Sequence, residues 1–372
     1  MIIGCPSEIK VKEYRVGLVP AAVKALTADG HTILIQKNAG IGSGISNEQY
    51  QAVGAEIIDS AEEVWERSQI ICKVKEPVPS EYPLMRAGQI LYTYLHLAAN
   101  IELTEALLAK KVSAVAYETI QVGHTLPLLK PMSEVAGRMS IQVGAWCLEK
   151  HQGGKGLLLG GVTGVPRAKV TILGGGVVGL QAAKVAIGMG AVVRLLDTNT
   201  DRLEYLDHIF SERLQALYST PYSIAEAVMD ADLVIGAVLI AGAKAPKLVT
   251  RELIGQMGKG SAIVDVAVDQ GGCVETMRPT THDNPIFEVD GIIHYGVANM
   301  PGAVARTSTF ALAQATLPYL RLLAGVGLVE ACKQNPHFAL GLNTHQGYLT
   351  YEAVAHAHGL AFHEYSKVLA AS

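Results

Sequence analysis

Four side chains that carry charge or change protonation lie where apolar, strand-like segments of this sequence end. Arg15 follows the first segment in SEIKVKEYRVGLVP, Lys75 ends QIICKVKEP, His96 ends ILYTYLHLAAN, and Asp269 ends SAIVDVAVDQGG. A histidine changes its charge close to neutral pH, so it suits the transfer of a proton in a reaction at that pH. These residue types at strand ends therefore indicate a candidate ligand site.

The expected position of these residues supports that hypothesis, because ligands bind beyond the carboxyl ends of the strands in open parallel sheets. Arg15, Lys75 and His96 should converge on one edge of a cleft. Each residue also has a structural alternative. His96 could be a core histidine, Arg15 a solvated loop residue, Lys75 the partner of Glu76 in a surface ion pair, and Asp269 the cap of the turn DQGG. A surface ion pair contributes little stability.

Side chains alternate between the two faces of a strand. If the strands continue through QIICKVK and ILYTYLHL, Lys73 and Lys75 share one face of their strand, and Tyr92, Tyr94 and His96 share one face of the next. This alternation predicts which side chains point toward the cleft.

The most specific local motif is KVTILGGGVVGLQAAKVAIGMGAVVRLLD, in which Gly174, Gly176 and Gly179 have the spacing G-x-G-x-x-G. In such a motif the first glycine permits a tight turn, the second lets backbone amides approach a pyrophosphate, and the third lets the helix pack closely on the strand. The helix N-terminus supplies free N–H groups for phosphate. A glycine-rich turn without a ligand is the alternative, but a strand before the motif and a helix after it favour dinucleotide binding.

Asp197 ends the strand that follows this helix, where an acid accepts a hydrogen bond from a ribose 2′-hydroxyl. A carboxylate at this position repels a 2′-phosphate, so NAD is favoured over NADP as the cofactor. Arg194 and Arg202 weaken this preference slightly, since arginine can accommodate a phosphate. The first part of the chain has no such glycine motif, so we interpret it as the substrate domain.

Strand-like and helical segments alternate along most of the chain, which predicts an α/β fold of two doubly wound parallel sheets. The predicted strands are MIIGCPSEI, TILIQK, QIICKVK, ILYTYLHL, VSAVAYETI, AKVTILGGG, AVVRLLD, ADLVIGAVL, SAIVDVAVD and IIHYGVANM. A long helix, PMSEVAGRMSIQVGAWCLEKH, and a glycine-rich loop join the two series. A helix near 302–325 should return the chain to the first domain, and a short helical piece, YLTYEAVAHAHG, follows near the C-terminus.

Composition excludes several classes of function. Of the 372 residues, 49% are hydrophobic and 17% charged, and the net charge is −4, which makes nucleic acid an improbable partner. No apolar run is long enough to span a membrane, and the first ten residues lack the features of a signal peptide. The five scattered cysteines show no metal-binding spacing. We expect a cytoplasmic protein without a metal site or a disulfide framework.

Longer blocks of the sequence resemble a known family. CPSEIKVKEYRVGLVP, CKVKEP, YTYLHLAAN, AYETI, PLLKPMSEVAGRMSIQVGA, VTILGGGVVG, GAKAPKLV, DVAVDQGGCVET and HYGVANMPGAVARTST are similar to the L-alanine dehydrogenases. The NAD-binding subunit of proton-translocating nicotinamide nucleotide transhydrogenase belongs to the same superfamily. The resemblance covers essentially the whole chain.

The resemblance implies roles for the residues at the strand ends. Arg15 would hold the substrate carboxylate through a bidentate fork, Lys75 would bind the carbonyl or amine end, His96 would be the acid/base, and Asp269 would assist proton transfer. The resemblance also implies contacts to NAD from Ser133, Gly174, Gly176, Val177, Val178, Gly179, Asp197, Arg202, Ser219, Val238, Leu239, Val266, Ala267, Val268, Asp269, Val297, Ala298, Asn299 and Met300.

The family further implies a homohexamer and a substrate domain formed by both ends of the chain around a central NAD domain. We place the substrate domain at residues 1–128 and 307–372 and the NAD domain at residues 129–306. The implied reaction uses L-alanine, NAD and water and gives pyruvate, ammonium and NADH. One position departs from the family, because Ala241 stands where a proline is usual in PGAKAP. Loop rigidity near the nicotinamide is therefore in question.

Three other functions compete with this interpretation. A transhydrogenase-type subunit would bind nucleotide and exchange hydride without a small substrate, but it would not need Arg15, Lys75, His96 and Asp269. A dehydrogenase of another amino acid or a secondary amine, such as the saccharopine type, fits the sequence blocks less well. A regulatory NAD sensor without turnover is the third.

Overall fold

The structure is a computed structural model, and it describes residues 1–238, 245–268 and 271–370. The chain divides into two compact units. Unit 1 contains Met1–Met132 and Val304–Ser372, and unit 2 contains Ser133–Ala303. The α/β class with two doubly wound sheets, predicted from the sequence, is confirmed.

The strands in chain order are β1 (Ile2–Cys5), β2 (Thr32–Gln36), β3 (Glu56–Ile58), β4 (Ile70–Cys72), β5 (Ile90–Thr93), β6 (Ser113–Ala116), β7 (Lys169–Leu173), β8 (Val192–Asp197), β9 (Leu214–Tyr218), β10 (Leu233–Gly236), β11 (Ala262–Asp265), β12 (Ile286–Val289), β13 (Ile292–Tyr295), β14 (Leu342–His345) and β15 (Tyr348–Leu349).

The helices are α1 (Pro20–Ala28), α2 (Asn47–Gln51), α3 (Ala61–Arg67), α4 (Ile101–Ala109), α5 (Lys130–Cys147), α6 (Val177–Gly188), α7 (Thr200–Phe210), α8 (Pro221–Met229), α9 (Arg251–Ile254), α10 (Ala305–Val326), α11 (Leu328–Gln334), α12 (Pro336–Ala339), α13 (Glu352–His358) and α14 (Tyr365–Ala370). Among these helices, none is both long and apolar enough to cross a membrane.

Unit 1 is built on an eight-stranded sheet in the order β15-β14-β6-β5-β4-β1-β2-β3. Strands β1 to β6 are parallel, while β14 pairs antiparallel with β6 and β15. The central strands are buried on both faces because helices cover both sides of a parallel sheet. The direction of winding reverses between β1 and β4, which makes their carboxyl ends the expected ligand site.

Unit 2 repeats this arrangement in a seven-stranded sheet with the order β12-β13-β11-β10-β7-β8-β9. All pairs are parallel except β12 with β13. One face packs against a cluster of buried apolar side chains that includes Leu173, Val234 and Ile263. The winding reverses between β7 and β10, and the glycine-rich turn follows β7 directly.

Several sequence predictions at the sheet edges were wrong. Both sheets are mixed, since β12, β14 and β15 pair antiparallel with their neighbours, and none of these three strands was predicted. Strand β15 lies in a segment that was predicted to be helical. Strands β3 and β9 were also missed. Short strands with few apolar residues give a weak periodic signal, so their neighbours in the sheet determine their conformation.

The predicted alternation beyond β4 and β5 was wrong as well, because those strands end at Cys72 and Thr93. Beyond these strand ends, carboxylate side chains accept hydrogen bonds from the backbone N–H groups in place of a neighbouring strand. Glu8 Oε1 accepts hydrogen bonds from the backbone N–H groups of residues 74 and 75, and Glu118 accepts them from residues 95 and 96. The segments that carry Lys75 and His96 are therefore loops held by buried or half-buried acids.

Candidate active site

The loops after three adjacent strands of unit 1 carry Arg15, Lys75 and His96. They follow β1, β4 and β5, which lie side by side at the position where the sheet reverses its winding. This arrangement brings the three predicted substrate residues to one edge of the sheet. Asp269, the fourth predicted residue, lies outside the described residues.

Arg15 is a buried residue with 2% exposure, so it is not a solvated loop arginine. Its Nε donates to Glu13 Oε1 at 2.6 Å and its Nη2 to Glu13 Oε2 at 2.5 Å. Nη1 contacts Met132 Sδ at 3.2 Å. Burial lowers the pKa of the guanidinium, but the hydrogen bonds and charge of Glu13 raise it overall. Glu13 thus occupies the fork that the resemblance assigned to a substrate carboxylate and fixes the orientation of Arg15.

His96 forms an acid–imidazole pair with Glu76. Its Nδ1 lies 3.2 Å from Glu76 Oε2, and 44% of its side chain is exposed, so it is not a core histidine. Burial raises the pKa of the Glu76 carboxyl, but hydrogen bonds from His96 and Lys10 and the charge of Lys75 lower it to about 2. Glu76 is therefore a carboxylate at every pH at which an enzyme of this kind would work.

The backbone at His96 is in the left-handed region, with φ of +50°. This conformation is uncommon for a residue other than glycine and persists only where the surroundings impose it. Glu118 Oε1 imposes it here by accepting the His96 backbone N–H at 2.6 Å. The adjacent ring of Tyr94 lies 5.9 Å from the imidazole, centroid to centroid, and its hydroxyl donates to Leu128 O at 2.6 Å. The local structure thus holds the imidazole at the sheet edge.

Lys75 and Lys73 have different environments. Lys73 is buried, with its Nζ 2.8 Å from Glu81 Oε1 and 3.3 Å from Glu8 Oε2. Burial lowers the pKa of the half-buried Lys75, Glu76 raises it, and the positive charge of Arg15 lowers it, so that the overall shift is downward. Lys73 is a structural cation, whereas the pKa of Lys75 is lowered chiefly by burial.

A cavity of about 320 Å³ lies beside Arg15 at the ends of β1 and β2. Its lining includes Lys10, Glu13 and Arg15, and Lys10 also contacts the Glu76 carboxylate. Lys75 and His96 do not line this cavity. Lys10 and Glu76 therefore connect the cavity beside Arg15 to the imidazole of His96.

Sequence reasoning missed Glu13, Glu76 and Glu118. Each is a charged residue near the end of an apolar run, which was the signal that identified the other candidates. Glu76 entered the sequence analysis only as the partner of Lys75 in an alternative surface ion pair, whereas in the structure it bonds to His96, 20 residues away, and to Lys10. The contact between Glu76 and His96 arises because β4 pairs with β5, and the local sequence around either residue does not indicate it.

In unit 2 the three motif glycines have the predicted geometry. Gly174 has φ of +101°, and a Cβ there would lie 2.8 Å from Ala237 O. A Cβ on Gly179 would lie 1.8 Å from Gly174 O, so helix and turn approach too closely for any side chain. Gly176 is the N-cap of α6, and a Cβ there meets nothing within 4 Å among the described residues. The open side of the turn thus lies at the helix N-terminus, where a pyrophosphate would bind.

Asp197 ends β8 next to this turn. Its Oδ2 accepts the Gly175 N–H at 2.6 Å and its Oδ1 accepts the Asn199 N–H at 2.8 Å. Arg202 donates to Gly175 O at 2.5 Å, which ties it to the turn, and Arg194 pairs with Asp230 at 2.8 Å. Both arginines thus have partners of their own, and the carboxylate remains the acidic group expected at a ribose.

The other predicted cofactor contacts lie mostly at the carboxyl ends of the same sheet. Ser219 follows β9, Val238 follows β10, Val266 follows β11 and Val297 follows β13. Val177 and Val178 form the first turn of α6, and Ser133 lies in α5. Val297 and Met300 are buried, with 1% and 2% exposure, and Ala267 and Val268 are also buried, whereas Ala298 and Asn299 are half-buried. Leu239, Asp269 and the atypical Ala241 lie outside the described residues.

A doubly wound unit with a glycine-rich phosphate turn and a second doubly wound unit with an Arg–Glu and a His–Glu pair are the architecture expected of a dehydrogenase that binds a dinucleotide. Comparison with family models identifies the family. The N-terminal domain model of alanine dehydrogenase/PNT matches residues 4–136, and the C-terminal domain model matches residues 140–352. The chain belongs to the alanine dehydrogenase/PNT family, as the sequence blocks predicted.

Individual relatives match over their full lengths. The chain is 57% identical to alanine dehydrogenase of Methanococcus maripaludis, covering 99% of this chain and 100% of the relative. It is 56% identical to alanine dehydrogenase of Bacillus subtilis, covering 99% and 98%. A solved L-alanine dehydrogenase superimposes with a TM-score of 0.95 at 52% identity, covering 96% and 99%, and a transhydrogenase from Sinorhizobium meliloti with 0.84 at 25% identity, covering 94% and 100%.

Proposed function

We propose that this protein is an L-alanine dehydrogenase that converts L-alanine, NAD⁺ and water reversibly into pyruvate, ammonium, NADH and a proton. The observation that carries the proposal is 57% identity over both full lengths to a protein of that name, together with the Glu76–His96 pair at the sheet edge. The transhydrogenase is similar to this chain at only 25% identity, which favours the dehydrogenase.

The residues of unit 2 fit a nicotinamide dinucleotide. The open side of Gly176 admits a pyrophosphate to the N-terminus of α6, and Asp197 would bind the ribose of NAD and repel the 2′-phosphate of NADP. When bound, NAD accepts a hydride from the Cα of the substrate. Ser219 follows β9 and Val238 follows β10, at the carboxyl ends of strands on either side of β7 and β8, and both would line the rest of the nucleotide site.

The residues of unit 1 would bind the substrate and move protons. Glu13 orients Arg15 through Nε and Nη2, and Arg15 would bind the substrate carboxylate. Lys75 would bind the amine or carbonyl end. Because Glu76 occupies Nδ1 of His96, Nε2 remains as the ring nitrogen that takes a proton when water adds to the imine and returns it when ammonia leaves.

The test is to follow NADH absorbance after pyruvate and ammonium are added to the pure protein. Rapid loss of NADH that needs both compounds supports the proposal, and NADPH should be a much poorer donor because of Asp197. Glyoxylate and 2-oxoglutarate serve as comparison acceptors. A folded protein that binds NADH but does not turn over would contradict the proposal and favour the transhydrogenase-type subunit. The homohexamer and the cytoplasmic location stay predictions, and analytical ultracentrifugation tests the first.

A further inference from the structure

The segment after β11 is held by two charged side chains that sequence reasoning did not identify. Asp265 is the last residue of β11 and is fully buried, with 0% exposure. Its Oδ1 accepts the Ala267 N–H at 3.2 Å, and its Oδ2 accepts the N–H groups of Cys273 at 2.9 Å and Val274 at 3.1 Å. One carboxylate therefore joins both described flanks of this segment, residues 266–268 and 271–274.

The side chain of Lys247 donates hydrogen bonds to backbone carbonyl groups of the same segment. Its Nζ donates to Gly272 O at 3.1 Å and Val274 O at 3.1 Å, and it also contacts Gly271 O. Asp265 thus accepts hydrogen bonds from backbone N–H groups of the segment, and Lys247 donates hydrogen bonds to its backbone C=O groups. Hydrogen bonds to ionised partners are stronger than those between neutral groups. We call the described residues 266–268 and 271–274 the β11 loop, and we call these two side chains the clamp.

Two glycines approach the Asp265 carboxylate too closely for a larger side chain. A Cβ on Gly272 would lie 2.4 Å from Oδ2, and a Cβ on Gly236 would lie 2.9 Å from Oδ1. Gly272 also has φ of +61°, a conformation that favours glycine. Backbone bonds from Gly272 N to Ala267 O and from Leu248 N to Cys273 O complete the enclosure.

Burial of the Asp265 carboxylate lowers the free energy of unfolding at neutral pH. Burial raises the pKa of Asp265 to about 6, although three backbone N–H groups and the charge of Lys247 oppose the shift. An ionised acid whose pKa is raised destabilises the folded state at neutral pH. Groups with strongly perturbed pKa values cluster at functional sites.

We propose that Asp265 and Lys247 are positioning residues for hydride transfer, because they fix the β11 loop, which contains Val266, Ala267 and Val268. The inference rests on the proposed function and on the contacts to NAD that the resemblance implies for these three residues. The clamp itself touches neither substrate nor cofactor. It acts through the backbone of the loop.

The experiment compares Asp265→Asn, Lys247→Met and Lys247→Arg in the full-length protein. Lys247→Met should lower kcat for L-alanine by about tenfold or more, since a displacement of about 1 Å at a reacting group can cost that much. KM for L-alanine should change by less than about twofold, and Lys247→Arg should restore most of kcat because arginine also donates to carbonyls. Asp265→Asn should lose kcat in the same way.

Two control variants separate positioning from stability. Asp232 accepts a hydrogen bond from the backbone N–H of residue 169 and pairs with Lys155, but it lies at the amino end of β10. Asp232→Asn should lower the melting temperature without lowering kcat. Lys184→Met removes another exposed lysine of unit 2 and should change neither quantity.

Overturning results are a kcat within twofold of wild type for Lys247→Met at a temperature where circular dichroism shows it folded, or no recovery with Lys247→Arg. If Asp265→Asn does not fold, the two Lys247 variants decide. Amide hydrogen exchange in the β11 loop is a measurement that does not need turnover. If the wild type lacks alanine activity, the proposed function fails, and the exchange rates alone test the clamp. Faster exchange in Lys247→Met than in wild type would support the clamp, and an unchanged rate would refute it.

Discussion

At the scale of single residues, the pairing of Glu76 with His96 determines which nitrogen of the imidazole is available. Replacing Glu76 by Gln keeps the shape but removes the charge and allows an amide N–H to face Nδ1. We expect kcat for L-alanine to fall about tenfold with little change in KM, and His96→Ala to lower kcat by about 10²- to 10⁴-fold, the usual contribution of a general acid/base. Steady-state kinetics measures both.

Matched substitutions on the same unit serve as controls for these two variants. Glu66 and His356 are exposed residues of unit 1, and Glu66→Gln and His356→Ala should keep wild-type kcat. All four proteins should bind NADH, because the proposed nucleotide residues are unchanged. Full turnover by a folded His96→Ala protein would show that another group transfers the proton.

At the scale of an element, the turn between β7 and α6 separates the structural and ligand-binding tasks of its glycines. Gly179→Ala should lower the melting temperature by several degrees, because its Cβ would lie 1.8 Å from Gly174 O and overpacking costs about 1–3 kcal/mol. Gly176→Ala should leave the melting temperature unchanged, since its Cβ has open space, yet it should weaken NADH binding about tenfold by blocking the pyrophosphate.

The control for this pair is Gly188→Ala at the other end of α6, where a Cβ also meets nothing within 4 Å. It should change neither stability nor binding appreciably. Thermal unfolding and titration of NADH fluorescence report the two quantities separately. Unchanged NADH affinity in Gly176→Ala would mean that the dinucleotide does not use this turn.

The β11 loop gives a prediction about pH, because burial raises the pKa of Asp265 from 3.8 to about 6. A group whose pKa is raised on folding stabilises the protein while it is protonated, below its unfolded pKa of 3.8, and this stabilisation is lost as pH rises through about 6. Relative to wild type, Asp265→Asn should therefore gain about 1 kcal/mol between about pH 5 and about pH 7. Thermal unfolding of both proteins at the two pH values measures the gain.

Other groups that titrate in this interval cancel, because they are common to both proteins. Glu76 has the opposite sign, since its pKa is lowered from 4.5 to about 2, so it destabilises only as pH falls below about 4.5. A stability difference between Asp265→Asn and wild type that does not vary with pH in this interval would show that Asp265 is ionised in the folded protein throughout, so that burial does not raise its pKa.

The elements also show where prediction from sequence ends. The glycine turn, the central parallel strands and the positions of Arg15, Lys75 and His96 follow from local patterns of apolar residues, glycines and charges. The ends of β4 and β5 do not, because Glu8 and Glu118 take over their backbone N–H groups from distant parts of the chain. Asp265 was overlooked for a similar reason, because its partners are backbone N–H groups up to nine residues away, and the residue types there do not indicate this contact.

At the scale of the whole molecule, unit 2 is one continuous segment with a complete sheet and an apolar core of its own, inserted into a unit formed by both ends of the chain. A domain with its own core can in principle fold alone. We expect a fragment of residues 130–303, which keeps α5 whole, to unfold cooperatively and to bind NADH within about tenfold of the full-length affinity. Calorimetry and NADH fluorescence measure these two properties.

The same fragment with Gly176→Ala is its control, since it should fold equally well and bind NADH about tenfold more weakly. Loss of alanine turnover in the fragment is also expected, because Arg15, Lys75 and His96 are absent from it. A fragment that unfolds cooperatively but does not bind NADH would contradict the assignment of residues 129–306 as the NAD domain. Binding by the fragment alone would place the determinants of nucleotide affinity within one unit and leave unit 1 with substrate recognition and proton transfer.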